Sequence, residues 1–357
     1  MSKQLRAVVL GGTGFIGTNL ITYLKDKGYW VRSADIKRNE YGKNDADEFI
    51  LCDLRNEKSV ELVIDETIDE VYQLGADMGG AMYIFTKEHD ADIMHNSAMI
   101  NLNVCNVCSQ RPNIKSVFYS SSACIYPEYN QLDKDRPNCE ESSAYPAQPD
   151  SNYGWEKLFS ENLYMAFHHN KGLPVHIARF HNIFGPWGTY EGGKEKAPSA
   201  MIRKTIECSE GGSIEVFGDG LQTRSFLYID ECLKGIDLLV HSNFIGPVNI
   251  GSEEMISINN LCKMTIDISG KQGITIKNTP HSATGVRGRN SHNKLIKEKL
   301  GWAPSQPLRV GMEKTFEWIK SQMDMKSTDK SVTPNTTILK SNITEHSIDD
   351  GLDGCNF

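Results

Sequence analysis

Gly11, Gly14 and Gly17 form a G-x-x-G-x-x-G run. It follows an apolar stretch, Arg6 to Leu10, and opens a helical pattern from Gly14 to Lys27 that ends at Gly28. A strand that feeds such a run must turn sharply into a helix whose backbone can lie against a pyrophosphate. Only glycine lacks the Cβ that would clash there. The helix start then offers free N–H groups and the positive end of its dipole to phosphate oxygens. Phe15 and Ile16 sit between the second and third glycines. About twenty residues on, where a ribose-binding acid is expected, Asp35 closes a second apolar stretch that begins at Trp30. A carboxylate there accepts from both ribose hydroxyls and repels a 2′-phosphate, so the run predicts NAD rather than NADP. Arg32 and Lys37 are near in sequence and weigh the other way. Asp53 follows a third stretch, where it is either close to an adenine or a solvated carboxylate.

The alternation continues along the chain. Apolar runs at Phe49 to Cys52, Val71 to Leu74 and Val117 to Ser120 are separated by helical patterns such as Lys58 to Asp65 and Asp92 to Ser109. This β-α-β order predicts an α/β fold with a Rossmann-type, doubly wound parallel sheet. Val175 to Arg179 and Pro247 to Ile250 read as later strands of the same sheet. A chain of 357 residues has room for two domains, or for one large α/β domain with an attached lobe. The expected division places an NAD-binding domain at 1–185, with the chain returning to it at 223–256. A smaller C-terminal substrate-binding lobe takes 186–222, rich in Gly, Pro and charge, and 257–323, where helical patterns return around a short strand at Ile274 to Lys277. Residues 324–357 are rich in Ser, Thr, Asp, Asn and Lys with little apolar periodicity, which predicts a disordered tail. Its sequons at Asn335 and Asn342 carry no message in a cytosolic protein.

Composition narrows the partners. A net charge of -8 makes the chain a poor general binder of nucleic acid or of an anionic membrane, so any phosphate it holds needs a local cluster of cations and amides. The N-terminus lacks the apolar core of a signal peptide, and no apolar stretch reaches the length of about eighteen residues that a span needs. Nine cysteines without framework spacing fit free thiols in a reducing compartment, which predicts a cytoplasmic protein. The C-x-x-C at Cys105 and Cys108 has no second pair and lies in an apolar helical stretch, so it predicts packing rather than a metal site.

Tyr153 and Lys157 form Y-x-x-x-K, and positions i and i+4 share one helix face. Tyrosine titrates near ~10 and is a poor base at neutral pH. A lysine cation and a nicotinamide charge beside it are expected to lower that value, so that the phenol takes a proton from a sugar hydroxyl as its carbon is oxidised. The segment Tyr119 to Pro127 ends the fifth strand. Strand C-termini are where doubly wound sheets bind ligands, and Ser122 there can hydrogen-bond the reacting hydroxyl.

The glycine run, Ser122 and the Tyr153/Lys157 pair together resemble the extended short-chain dehydrogenase/reductase family. Six segments are similar to the members of that family that epimerise GDP-mannose. These are ADMGG at Ala76 to Gly80, SSACIYPE at Ser121 to Glu128, RFHNIFGP at Arg179 to Pro186, EKAP at Glu195 to Pro198, GDGLQTRSF at Gly218 to Phe226, and GVRGRNS at Gly285 to Ser291. The resemblance runs from about residue 6 to about residue 322 and implies a route. Tyr153 and NAD oxidise C4, the ketone acidifies the C3 and C5 protons, and Cys124 and Lys196 remove and return them from opposite ring faces. Reduction of C4 then leaves GDP-L-galactose, or GDP-L-gulose after inversion at C5 alone. Cysteine matters at 124 because a hydroxyl is too weak a base for carbon, whereas a thiol near ~8.5 can be tuned downward by a nearby cation.

The same resemblance implies the binding residues. Gly80, Ala123 and Asn182 lie near the sugar, and Glu195 and Ala197 flank Lys196. Lys204, Gln222, Thr223, Arg224 and Arg287 meet the diphosphate and nucleoside, where guanidinium forks suit phosphate. His181 and Arg289 are weaker candidates, since a histidine beside a strand end is more often structural. The stretch from Ala81 to Met94 reads as slightly longer than the family pattern, which bears on substrate choice. Relatives form homodimers by packing the helix near Asp92 to Ser109 and the Tyr153 helix into a four-helix bundle, with Met99, Leu102, Leu158 and Tyr164 compatible with that face. Two other readings stay open. One is a different nucleotide-sugar enzyme on the same fold, such as a UDP-sugar 4-epimerase, which needs no carbon acid/base pair. The other is an NAD-sensing binding protein, which would be expected to lose Tyr153 or Lys157.

Overall fold

The computed structural model describes residues 3–280 and 285–329. In chain order the first part runs β1 (Arg6–Leu10), α1 (Phe15–Asp26), β2 (Trp30–Asp35), β3 (Glu48–Leu51), α2 (Glu57–Val63), β4 (Glu70–Gln73), α3 (Ala81–Phe85), α4 (Asp90–Ser109), β5 (Ser116–Ser122), α5 (Asn152–Lys171) and β6 (Val175–Phe180). The second runs β7 (Ile183–Phe184), α6 (Ala197–Glu207), β8 (Ser213–Phe217), β9 (Thr223–Ser225), β10 (Leu227–Tyr228), α7 (Ile229–Val240), β11 (Val248–Ile250), β12 (Met255–Ser257), α8 (Ile258–Ser269), β13 (Thr275–Thr279), β14 (Gly288–Arg289), α9 (Lys294–Leu300) and α10 (Leu308–Asp329).

Seven strands form one parallel sheet in the order β11-β6-β5-β4-β1-β2-β3. The chain builds outward from β1 to β3, returns to β4 beside β1, and builds the other way to β11. That reversal opens a crevice at the C-terminal ends of β1 and β4, where such sheets take their ligands. The central strands are apolar on both faces because helices cover both. β5 is buried at every position, and Val8, Leu10, Val71, Val117, Val175 and Ile177 share one core with Val104, Cys105 and Cys108 of α4. Cys105 and Cys108 thus pack in the core, as their apolar context predicts.

The helix that carries the Y-x-x-x-K pair is well marked at both ends. Ser151 caps α5 by accepting from the Gly154 N–H at 3.2 Å, and Gly172 closes it in the left-handed conformation at φ 71°. On this helix Leu158 and Tyr164 face inward. Tyr164 stacks on Tyr119 of β5 with ring centroids 4.6 Å apart. They belong to the chain's own core, which decides between core and interface for these two positions. The outward positions are Trp155 and Phe159, with 43% and 48% of their surface exposed, and Leu102 on α4 at 40%.

Beyond the large sheet, β12, β9 and β14 form a three-stranded sheet, and β8 and β13 a parallel pair covered by α6 and α8. Thr205 of α6 and Thr265 of α8 share a buried hydrogen bond of 2.7 Å. Lys271 donates to the carbonyls of Thr205, Ile206 and Cys208, closing the C-terminal end of α6 where a cation is favoured. In the return segment, β11 is the edge strand of the large sheet and α7 packs on it, whereas β9 and β12 pair in the three-stranded one. Residues 1–321 form one compact unit. α10 continues to Asp329, so 324–329 are helical rather than disordered. Met323, Met325 and Lys326 are good helix formers, and no Gly or Pro interrupts them. The rest of the predicted tail, with both sequons, lies outside the described residues.

Candidate active site

The glycine run forms a cradle that fits a dinucleotide. Gly11 turns the chain at φ 76°, and a Cβ on Gly17 would stand 2.3 Å from the Gly11 carbonyl oxygen. Gly14 is the N-cap of α1 and brings no capping side chain, so the first-turn N–H groups stay available to a phosphate. Phe15 and Ile16 begin that helix. The Asp35 carboxylate accepts from the Thr13 N–H at 3.0 Å and the Ile36 N–H at 2.8 Å, which fixes it beside the cradle at the end of β2. Arg32, which by sequence position weighs toward a 2′-phosphate, is instead buried against Glu48 and Asp65 at 2.7 and 2.9 Å. Asp53 is held by Arg55, with Nε–Oδ1 at 3.0 Å, and this partner keeps its carboxyl below the usual range. Ile36 and Leu51, exposed at the ends of β2 and β3, add apolar walls to this edge. Sequence patterning gave no sign of them, because each simply follows or ends a strand.

On the other side of the crevice, Lys157 is buried and donates to the Ser120 carbonyl at 3.0 Å. Its ammonium lies 5.7 Å from the Tyr153 ring centre. Burial pushes the Lys157 ammonium down from its ordinary range. Burial also pushes the Tyr153 phenol well up, and Cys124 adds to this, while Ser122 works against it. In the protein by itself the phenol is therefore raised, not lowered as the lysine alone would predict. Loss of water outweighs a cation that sits across the ring rather than at the hydroxyl.

Cys124 lies in the turn after β5, behind Ala123, and packs with Tyr153, Met78, Ile84 and Phe85. Its N–H donates to the Ser122 hydroxyl at 3.2 Å, so the serine caps this turn. Its sulfur accepts from Arg289 Nη1 at 3.1 Å. Arg289 Nη2 meets Asp150 at 2.6 Å, and its Nε meets Gln131 at 2.5 Å. Burial opposes this guanidinium's charge, but Asp150, Cys124 and Cys139 outweigh it and hold Arg289 above its ordinary range. The weak sequence candidate is thus a direct neighbour of the thiol.

Lys196 approaches from the far wall. A Cβ on Gly80 would stand 2.4 Å from the Glu195 carbonyl oxygen, so only glycine lets the loop before α3 meet the 194–196 segment. Lys194 sits 3.9 Å over the Tyr83 ring of α3, and the Glu195 carboxylate takes the Gly193 N–H and Arg203. Lys196 is the N-cap of α6, followed by Ala197 at its first position. Burial pushes the Lys196 ammonium down, and Cys124 and Cys232 pull it back up, so Lys196 and Cys124 are within electrostatic reach of each other. The loop that leads to Lys196 is moored by a ring cluster. Tyr41 contacts Trp187, Tyr190 and Trp318 at centroid distances of 6.4, 5.9 and 5.0 Å. The stretch after Gly80 forms α3 and leads into α4.

The remaining candidates have these places. Asn182 holds a left-handed backbone at φ 46° and donates to the Ser225 carbonyl at 2.9 Å. Arg224 is half-buried and donates to the Thr223 carbonyl at 2.8 Å. Burial first and the adjacent Arg289 second bring its guanidinium down to about 10. Thr223 bonds the Lys134 carbonyl, and Gln222 the Phe217 carbonyl. Lys204 donates to the Glu215 carbonyl at 2.8 Å, and Arg287 forms a bidentate pair with Asp219 at 3.0 and 3.1 Å. His181 is buried against Asn249 at 2.8 Å, and burial drops it to about 3, so it is a neutral structural group. Among the described residues no cluster of three His, Cys, Asp or Glu side chains could hold a metal, and no helix is long and apolar enough to cross a membrane.

A Rossmann-type sheet with a dinucleotide cradle, facing a Tyr/Lys pair across its switch point, defines a class. Residues 7–251 match the NAD dependent epimerase/dehydratase family, and the chain belongs to it. The chain is 44% identical over 325 residues to GDP-mannose 3,5-epimerase of Arabidopsis thaliana, spanning 90% of this chain and 84% of that one. It is 42% identical to GDP-mannose 3,5-epimerase 1 of Oryza sativa subsp. indica, spanning 92% and 85%. Its fold is similar to the solved UDP-N-acetylglucosamine 4-epimerase from Methanobrevibacter ruminantium M1, with a TM-score of 0.79 at 24% identity, covering 90% and 100%.

Proposed function

We propose that the chain converts GDP-D-mannose to GDP-L-galactose, with GDP-L-gulose as the product of inversion at C5 alone. What supports this reading is Cys124 packed with Tyr153 and within electrostatic reach of Lys196, in a chain 44% identical to a GDP-mannose 3,5-epimerase. An enzyme that only inverts C4 has no use for a carbon acid/base pair.

Gly11, Gly14, Phe15, Ile16, Gly17 and Asp35, with Lys157 on the far side, would hold NAD, which would supply the acceptor for the C4 hydride on oxidation and the donor that returns it on reduction. Ser122 and Tyr153 would bind the C4 hydroxyl, and Tyr153, as the phenolate that Lys157 and the positively charged ring of bound NAD would favour, would take its proton. With C4 a ketone, the neighbouring C–H bonds weaken as acids, because the electron pair left behind spreads into the carbonyl. The Cys124 sulfur accepts the proton from one ring face. Lys196 returns one to the opposite face, and its burial makes it a stronger acid than a solvated lysine. Arg224, Arg287 and Lys204, with Gln222, Thr223 and Asn182, take the charged and nucleoside end of the substrate.

Incubating the protein with NAD and GDP-mannose in D2O is expected to place deuterium at C3 and C5 with no net reduced cofactor. Turnover of a UDP-sugar without exchange into GDP-mannose would overturn the reading.

We further infer a homodimer through α4 and α5. Trp155, Phe159 and Leu102 leave a large apolar face that water covers poorly. Phe159→Arg is expected to halve the mass measured by sedimentation. An unchanged mass at all concentrations would remove these helices from the interface.

A further inference from the structure

We propose that Arg289 is a positioning residue for the Cys124 sulfur, a buried fork that aims the sulfur at the substrate and keeps it ready to accept a proton. This rests on the role proposed for Cys124 above. Three contacts engage all three guanidinium nitrogens: Nη1 to the sulfur at 3.1 Å, Nη2 to Asp150 at 2.6 Å, and Nε to Gln131 at 2.5 Å. Asp150 and Arg289 have side-chain exposures of 4% and 6%, so neither can trade these partners for water.

The three partners come from separate parts of the chain. Cys124 follows β5, Gln131 lies in the next loop, and Asp150 precedes α5. Arg289 arrives on β14, whose pairing with β9 puts it alongside Arg224. A planar fork fixed at two corners has one direction left for its third donor, and here that direction is the sulfur. A hydrogen bond from a guanidinium is stronger to a thiolate than to a thiol, because it is then charge-assisted. Asp150 has a second function in this arrangement. It balances the cation, so that the site can hold Arg289 without a net buried charge. Lysine cannot replace this fork, since an ammonium is a point charge that cannot span three fixed partners.

The test uses the NAD-loaded protein and iodoacetamide, which reacts with the thiolate form. Peptide mass mapping follows Cys124, with the half-buried Cys208 in the same sample as the internal standard. Arg289→Gln is expected to slow alkylation of Cys124 by about 10-fold or more relative to Cys208, the size expected for losing a charged hydrogen bond. Because this variant strands Asp150, the double variant Arg289→Gln with Asp150→Asn removes the buried pair together and is expected to give the same loss. Added guanidinium ion should restore part of the rate in Arg289→Ala, which a purely structural role would not allow. In the D2O assay the same variants should lose exchange at C3 and C5 in kcat rather than KM, with C4 oxidation retained. Alkylation of Cys124 at the unchanged rate in both the single and double variants would overturn the proposal. If Arg289 governs alkylation but the unchanged protein exchanges no deuterium into GDP-mannose, the fork stands and the reading of function fails.

Discussion

Cys124→Ser is expected to lower deuterium entry at C3 and C5 by about 10²–10⁴-fold, the range over which a positioned acid or base acts. The substitution changes one atom and little volume. Serine can still accept from Arg289, and the Ser122 hydroxyl that caps the turn accepts from the backbone N–H of residue 124, which the substitution leaves in place. What is lost is basicity, because an alcohol gives up its proton far less readily than a thiol and cannot compete for one on carbon. The C4 hydroxyl does not depend on that sulfur. A ketone trapped by borohydride in Cys124→Ser, with exchange absent, separates the two halves of the chemistry. Tyr153→Phe should show the opposite pattern, with no ketone to trap and therefore no exchange. Exchange at the unchanged rate in Cys124→Ser would move the carbon base elsewhere and leave the sulfur a packing group.

The glycine run, Asp35 and Tyr153/Lys157 were legible because each is a local pattern. Spacing within one turn or one strand-to-helix junction decides them, and the fold delivers that spacing unaltered. Arg289 was not legible in the same way. It lies 165 residues from Cys124, and only the pairing of β14 with β9 brings it to the sulfur. Nothing local in GVRGRNS says which arginine turns inward. The structure splits them, with Arg287 paired to Asp219 at the surface and Arg289 buried. Leu158 and Tyr164 were left open between core and interface for a related reason, and the structure puts both in the core. A helix with apolar residues on two sides presents one to its own sheet and one elsewhere, and periodicity does not say which. Burial raises the Tyr153 phenol in the protein by itself, a contribution that motif reasoning, which counts only the lysine and nicotinamide charges, does not include.

Arg179→Met is expected to destabilise the fold by about 3–5 kcal/mol, the cost of breaking a buried ion pair from one side. Arg179 is among the largest fully buried side chains of the chain and meets both Glu161 oxygens, Nε–Oε1 at 2.9 Å and Nη2–Oε2 at 2.8 Å. Burial alone would disfavour its charge, but Glu161 and Tyr126 reverse that and hold the guanidinium above its ordinary range. Methionine fills much of the space but leaves the Glu161 carboxylate facing Ser121 with no cation. The neighbours would feel it. Arg179 also donates to the Tyr126 hydroxyl and the Glu141 carbonyl, and Tyr126 bonds Asn249, the partner of His181. This network lies directly under the turn that carries Cys124. Domain stabilities are about 5–15 kcal/mol, so the variant should lose roughly a third or more of the total. At about 2–4 °C per kcal/mol for larger domains, the midpoint should fall by about 10 °C in scanning calorimetry. The double variant Arg179→Met with Glu161→Leu removes both charges and should regain most of the loss, since an apolar replacement of a buried pair is often neutral. A double variant as unstable as the single one would mean that the hydrogen bonds to Tyr126 and Glu141, rather than the ion pair, hold this layer together.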